Sequence, residues 1–308
     1  MKRVMIIGSR GQDGSYLSDL LKDQGVFAVG LSRRGGMCSD GTSTPPFDVT
    51  RADLVERMLR DHHPEEIYYL AAFHHSSDER IDHESGLLDS SFRVHVQGLS
   101  HVLEAARDLP AKVFYAASSH IFGSVETAPQ NEQTPIKPQC VYGLTKAAGM
   151  ALCRYYRQRY NVFASCGILY NHESPRRGKQ FVTQAIVAKA KAIAGGQPDE
   201  LVLGNLKARV DWGWAPDYVD AMRRIMALSS PDDFIIATGR THSIADFAQA
   251  AFECVGLDWR TYVKEDTTLI QKRNNDHLCG SYAKLKAATG WQPTAGFKEL
   301  VGRMVKGE

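Results

Sequence analysis

No stretch of this chain stays apolar over enough consecutive residues to span a bilayer. The N-terminus runs straight into a strand-like segment with no signal-peptide pattern, so a cytoplasmic protein without a membrane role is expected. An excess of one charge is also missing. Lys+Arg number 37 against 35 Asp+Glu, a formal net charge of +2, too balanced to argue for nucleic acid or an acidic surface as partner. Cysteine is sparse: Cys38, Cys140, Cys153, Cys166, Cys254 and Cys279 contain no CxxC pair, which points away from a disulfide framework and from a zinc site. Internal repeats and low-complexity segments are absent as well. What remains is an ordinary globular composition, 43% hydrophobic and 23% charged over 308 residues. That length suits one large α/β unit or two interleaved domains.

The chain opens with Val4-Met-Ile-Ile-Gly8, a short apolar run bounded by glycine that reads as a buried parallel strand. Gly8-Ser-Arg-Gly11-Gln-Asp-Gly14 follows and leads into an amphipathic helix with Tyr16, Leu17, Leu20 and Leu21 on its apolar face. A glycine triplet alone can be no more than a turn. Between a strand and a helix it allows backbone N–H groups to approach a pyrophosphate, making Gly8, Gly11, Gln12, Asp13 and Gly14 candidate cofactor contacts. The next strand, Phe27–Leu31, ends in Ser32-Arg33-Arg34, where an NAD enzyme would usually carry an acidic residue. Arg33 and Arg34 suit a 2′-phosphate and favour NADP, although they also fit a solvated basic turn.

Residues 35–46, rich in Gly, Ser, Thr and Pro, read as a loop closed by Phe47-Asp48-Val49. Asp48, just past a short strand, is a candidate for the adenine edge or a cap for the helix near Ala52. Ile67–Ala72 is the fourth strand, with Leu70 and Ala72 expected along the cofactor. His74, His75 and His83 follow at a spacing that fits no standard metal motif, and no metal is expected.

A long helix is predicted over roughly 86–107, then a fifth strand, Val113–Ala117, that delivers Ser118 and His120 at its carboxyl end. Ligands bind at that edge of open α/β sheets. After a proline-rich loop, a helix from Tyr142 to about Tyr160 places Tyr142 and Lys146 one turn apart on one face. A nearby ammonium favours the phenolate, so the pair can take a hydroxyl proton, with Ser118 holding the same oxygen. Spacing alone equally allows a surface Tyr and Lys; the glycine loop at the start of the chain favours the catalytic reading. Val162–Leu169 is the sixth strand. These elements predict an α/β fold, a Rossmann-type doubly wound parallel sheet.

From Gly11-Gln-Asp-Gly-Ser-Tyr-Leu17, Asn171-His-Glu-Ser-Pro-Arg-Arg-Gly178, Phe181-Val-Thr183, Asp211-Trp-Gly213, Asp217-Tyr-Val219 and Thr289-Gly-Trp-Gln-Pro293, nearly the whole chain resembles an extended short-chain dehydrogenase/reductase. Within that superfamily it is similar to the GDP-mannose 4,6-dehydratase family. The resemblance implies a nucleotide-sugar substrate and NADP. It implies that Asn171 contacts the substrate diphosphate, that His172 and Arg177 lie against the cofactor, and that Arg273 holds a nucleotide phosphate. It also implies a smaller, interleaved substrate domain over 171–308, with 1–170 binding the cofactor and the chain returning to it at about 211–259. Helices near residues 95 and 142 often pair across a two-fold in this superfamily, so a homodimer is expected.

The mechanism implied is oxidation at C4 by Tyr142, Lys146 and Ser118, then loss of water across C5 and C6. Here the chain departs from the family pattern: His120 stands where a glutamate serves as C5 base. Imidazole, with a pKa near 6.5, is chemically suited to the same work. Val210 replaces an arginine before Asp211, leaving Arg209 as a substrate-binding candidate; Gln184 replaces another, and His95 replaces an asparagine. The loop after Arg34 is shorter than the family's. A ketoreductase or epimerase, which needs no C5 base, therefore stays open, as does a non-catalytic NADP-binding protein.

Overall fold

The computed structural model describes residues 2–73, 84–125, 127–197, 200–269 and 278–308. In chain order the first half comprises β1 (Arg3–Ile7), α1 (Gln12–Asp23), β2 (Phe27–Leu31), β3 (Gly36–Met37), β4 (Ser43–Thr44), α2 (Ala52–His62), β5 (Glu66–Tyr69), α3 (Glu84–Phe92), α4 (Gly98–Ala106), β6 (Lys112–Ser118) and α5 (Val141–Tyr160). Then come β7 (Ala164–Leu169), β8 (Asn171–Glu173), α6 (Val182–Ala194), β9 (Leu201–Leu203), β10 (Arg209–Val210), β11 (Trp212–Trp214), α7 (Ala215–Met226) and β12 (Asp233–Ile236). β13 (His242–Ser243), α8 (Ile244–Glu253), β14 (Val263–Glu265), α9 (Ala283–Thr289) and α10 (Phe297–Lys306) complete the chain.

Six strands form one parallel sheet in the order β2-β1-β5-β6-β7-β12. The order reverses between β1 and β5, creating the crevice at which such sheets bind ligands. Strand alternation divides the core. Met5, Ile7, Ile67, Tyr69, Val113 and Tyr115 face α2, α4 and α5, while Val4, Ile6, Tyr68 and Phe114 face α1 and α7. Both faces are covered, which is why the strands read as continuous apolar runs rather than alternating ones. A third cluster joins α6, β9, β11, α8 and α10 through Ile186, Trp212, Phe247 and Leu300.

Three local features differ from expectation. Residues 35–46 are not merely a loop, because β3 and β4 pair antiparallel within them, Gly36 opposite Thr44. A Cβ on Gly36 would lie 1.9 Å from the Gly30 carbonyl oxygen, so only glycine lets the hairpin fold back onto β2. The short strand expected just before Asp48 is β4, which ends at Thr44 and leaves Pro45 to Phe47 as irregular backbone between them. The single helix expected over 86–107 is α3 and α4 joined by a π-helical turn, Arg93–Gln97, a geometry frequent at functional sites. No helix among the described residues is long and apolar enough to cross a membrane.

Candidate active site

At the carboxyl edge of the sheet a cleft of about 400 Å³ runs from the glycine loop to α5. Gly8, with φ 101°, turns the chain out of β1 where a Cβ would fall 2.8 Å from the Ala71 amide nitrogen. At Gly14 a Cβ would meet the Gly8 carbonyl oxygen at 2.3 Å, so α1 approaches the strand this closely only with glycine. Gly11 caps α1 without any side-chain hydrogen bond, leaving first-turn N–H groups at the cleft.

Gly8, Gly11, Gln12, Asp13 and Gly14 line this end of the cleft, together with Leu70 and Ala72 beyond β5. Arg33 and Asp48 line it as well. Arg34 occupies the same exposed turn as Arg33 but does not line the cleft. Asp48 does not cap α2, whose N-cap is Arg51; its carboxylate accepts the Thr50 N–H and hydroxyl at 3.0 and 2.9 Å.

Ser118, His120, Tyr142 and Lys146 line the other end. Ser118 ends β6 and its hydroxyl oxygen accepts the His120 N–H at 3.3 Å, capping a short 3₁₀ turn that carries the imidazole. The rings of His120 and Tyr142 meet edge-on with centroids 6.0 Å apart. α5 comes this close because Gly143 has no side chain: a Cβ there would be 2.4 Å from the His120 carbonyl oxygen. Cys140 caps α5, its sulfur accepting the Gly143 N–H at 3.4 Å and lying 4.0 Å from His120 Nδ1.

The electrostatics of the Tyr–Lys pair differ from the sequence reading. Lys146 does not hold Tyr142 as a low-pKa phenol. Lys146 is 1% exposed and its ammonium donates to the Ala116 carbonyl at 2.7 Å. Burial lowers Lys146 to about 7, with the Asp13 carboxylate opposing the shift. Burial also raises Tyr142 to about 12; Arg177 pulls it down while Asp13 and Cys140 add to the rise. Loss of water is the largest cause for both groups.

A second segment closes the cleft. β8 leads into residues 174–181, and Asn171, His172 and Arg177 all line the cavity. Gln12 clasps this segment to the glycine loop. Its amide donates to the His172 carbonyl at 3.1 Å and its oxygen accepts the Ser174 hydroxyl at 2.8 Å. Arg177 lies over the Phe181 ring at 3.5 Å and within 3.5 Å of Glu173, yet its buried Nε has no hydrogen-bond partner. Uncapped helix N–H groups, close-approach glycines and an unsatisfied guanidinium N–H suit the phosphates of a dinucleotide.

Arg209 is placed elsewhere, on β10, with its guanidinium on the Thr241 hydroxyl and carbonyl at 3.1 and 2.7 Å. Arg273 lies outside the described residues, as do His74, His75 and His83. Among the described residues no group of His, Cys, Asp or Glu is arranged to hold a metal ion.

Sequence reasoning assigned no role to Gln180, Phe181 or Phe73, which also line the cleft. It noted His95 only as a departure from the family pattern. The fully buried His95 lies in the π-turn, accepts the Phe73 N–H at Nε2 (3.0 Å), and has Nδ1 2.8 Å from the Thr145 hydroxyl. Its ring meets Tyr142 edge-on at 5.3 Å. The available signal was a histidine amid the apolar residues of a helix facing the catalytic one.

The doubly wound sheet and the Tyr142/Lys146 site at its switch-point edge define an extended short-chain dehydrogenase/reductase. A family model described as GDP-mannose 4,6 dehydratase matches residues 5–304, and the chain belongs to that family of nucleotide-sugar dehydratases. GDP-mannose 4,6 dehydratase 2 of Arabidopsis thaliana is 36% identical over 323 residues, covering 99% of this chain and 86% of the plant protein. The GDP-mannose 4,6 dehydratase of Homo sapiens is 32% identical, covering 98% of this chain and 90% of the human protein. Among solved structures, RMD from Pseudomonas aeruginosa complexed with NADPH shares the fold with a TM-score of 0.84 at 18% identity, covering 99% of this chain and 98% of that one. dTDP-glucose 4,6-dehydratase from Bacillus anthracis in complex with NAD shares it at 0.84 and 14% identity, covering 100% and 96% of the two chains.

Proposed function

We propose that the protein is an NADP-dependent nucleotide-sugar 4,6-dehydratase acting on a GDP-mannose-like sugar, with His120 as the acid/base at C5 and C6. The observation that carries the reading is the convergence of Ser118, His120, Tyr142 and Lys146 on one cleft with the glycine loop and Arg33. Gly8, Gly11, Gly14 and Arg177 would hold the cofactor phosphates, and Arg33 its 2′-phosphate. Structures of the same fold are complexed with NADPH and with NAD, so the choice of NADP rests on Arg33 and on the family. When bound, NADP would supply a reversible hydride acceptor for C4 and C6 of the sugar.

Tyr142 takes the proton of the sugar 4-hydroxyl as its own phenolic proton leaves toward the Lys146 amine, while Ser118 holds the same oxygen. Lys146, poised near pH 7, passes that proton on. Once C4 is a ketone, the C5 proton is acidic. His120 removes it and protonates the departing C6 hydroxyl, giving a 4-keto-6-deoxy sugar. Asn171 faces the diphosphate from the cleft wall. Arg209, exposed and holding Thr241 through Nε and Nη2, and Arg273 are assigned to the nucleotide by family resemblance alone. Residues 171–210 and about 260–308 are read as the substrate-side unit, to which α8 also belongs, since it packs on α6 and α10 instead of returning to the sheet as expected for 211–259.

Exposed Leu88 and Phe92 on α3 and Leu144 and Tyr155 on α5 support a homodimer through these helices. Six free cysteines fit a reducing cytoplasm.

The test is incubation with GDP-, CDP-, UDP- and dTDP-sugars, products being identified by mass. Loss of water from a GDP-hexose is the expected result. The second reading, a 4-ketoreductase or epimerase, is favoured by histidine in place of glutamate and predicts a gain of two hydrogens or an isomer visible by NMR. A protein that binds NADP and converts none of these sugars would overturn both.

A further inference from the structure

Asp13 sets an electrostatic problem in the glycine loop. Its carboxylate lines the cleft beside Gly11, Gln12 and Gly14, where the phosphates of an anionic dinucleotide are expected. An uncompensated carboxylate there would repel them. Directly against it stands His172, 159 residues later, with Nε2 2.9 Å from Asp13 Oδ1. The other ring nitrogen, Nδ1, lies 2.8 Å from the Tyr170 carbonyl oxygen, which can only accept. Both nitrogens therefore face acceptors, the pattern of an imidazolium.

We propose that His172 is a positioning residue for cofactor phosphates: held as an imidazolium against Asp13, it cancels that charge so the glycine loop can receive an anionic dinucleotide. The inference rests on the cofactor reading above and deepens it.

The surroundings hold the pair in place. Tyr218 of α7 stacks on the imidazole at 4.5 Å, and only 7% of His172 is exposed. Burial opposes the charge on His172, but Asp13 outweighs it and the pKa lies above its ordinary value, while Asp13 is lowered. The remaining charged groups facing the pair are Arg177, which opposes the imidazolium and adds a smaller share to offsetting the Asp13 carboxylate, and neighbouring Glu173; Tyr142 and Lys146 on α5 both feel the Asp13 carboxylate. Gln12 also ties the segment to the loop through the His172 carbonyl and the Ser174 hydroxyl, its amide lying 3.3 Å from Asp13 as well, so two bonds besides the charge pair hold the segment.

NADP binding by titration calorimetry to the unmutated protein, His172→Asn, Asp13→Asn and the double variant decides the matter. His172→Asn should weaken binding by at least about tenfold, while the double variant should recover to within about threefold of the unmutated protein. Affinity of the unmutated protein should also fall as pH rises through the raised His172 pKa. A double variant as weak as His172→Asn, or a His172→Asn variant that binds normally, would overturn the proposal and leave the cofactor reading intact. Failure of the unmutated protein to bind either NADP or NAD removes the cofactor reading and this proposal with it. NMR titration of the His172 ring in unliganded protein is an independent check. It should titrate above about 6.5 and fall back in Asp13→Asn; titration at or below that value overturns the imidazolium assignment.

Discussion

Lys146 donates its ammonium to the Ala116 carbonyl at 2.7 Å, and that nitrogen lies 5.7 Å from the centre of the Tyr142 ring. The lysine is anchored to the sheet rather than to the phenol it serves. Its pKa of about 7 makes a stability prediction. An unfolded lysine keeps its proton to about 10.4, so between those values the unfolded chain binds more protons and stability rises with pH. The destabilising contribution of Lys146 is fully present below pH 7 and is relieved progressively as pH rises from the folded toward the unfolded value. Lys146→Met should melt higher than the unmutated protein at pH 6–7, with the gap narrowing toward pH 9. Parallel melting curves across that range would contradict the burial argument.

Tyr142→Phe keeps the ring and its edge-on contacts with His95 and His120 but removes the ionisable oxygen. Activity should collapse while NADP affinity, measured by calorimetry, stays near normal. Retention of more than a small fraction of turnover would assign the proton transfer to another group.

His120→Ala should stop water loss and exchange of the C5 proton with solvent deuterium, since a positioned acid/base contributes about 10²–10⁴-fold. Oxidation at C4 can survive, so absorbance from reduced cofactor should accumulate. If His120 only hydrogen-bonds the substrate, affinity changes modestly and exchange persists. His120→Glu adds a sharper comparison. A variant that dehydrates a GDP-sugar when the natural protein does not would replace the dehydratase reading with the reductase or epimerase one.

Arg33 lines the cleft and Arg34 does not, although they are adjacent in sequence. Arg33→Ala should remove most of the preference for NADP over NAD, because one charged hydrogen bond contributes roughly 1.5–3 kcal/mol. Arg34→Ala should change it little. Equal losses from the two variants would show that the turn contributes only its net charge.

Phe92 and Leu144 are 49% and 50% exposed on α3 and α5, which pack together. Replacing both with glutamate should convert a dimer to monomer in sedimentation experiments without lowering the melting temperature of the monomer. An unchanged oligomeric state would move the interface elsewhere.

Local sequence rules determined a large part of this protein. Val4-Met-Ile-Ile7 is a parallel strand because both of its faces are buried, and the glycines at 8 and 14 mark close backbone approaches that a Cβ would prevent. The Tyr142/Lys146 spacing placed both residues in the cleft because a helix brings i and i+4 to one side. Other features have no local signature. The β3–β4 hairpin is held by backbone pairing in a polar segment without alternation, and the π-turn that buries His95 interrupts an otherwise helical pattern. The bonds from Asp13 to His172 and from Gln12 to Ser174 join residues 159 and 162 positions apart. Only tertiary structure decides such partners. It also decides the direction of each pKa: Tyr142 and Lys146 are displaced mainly by loss of water, and that depends on what the whole chain packs around them.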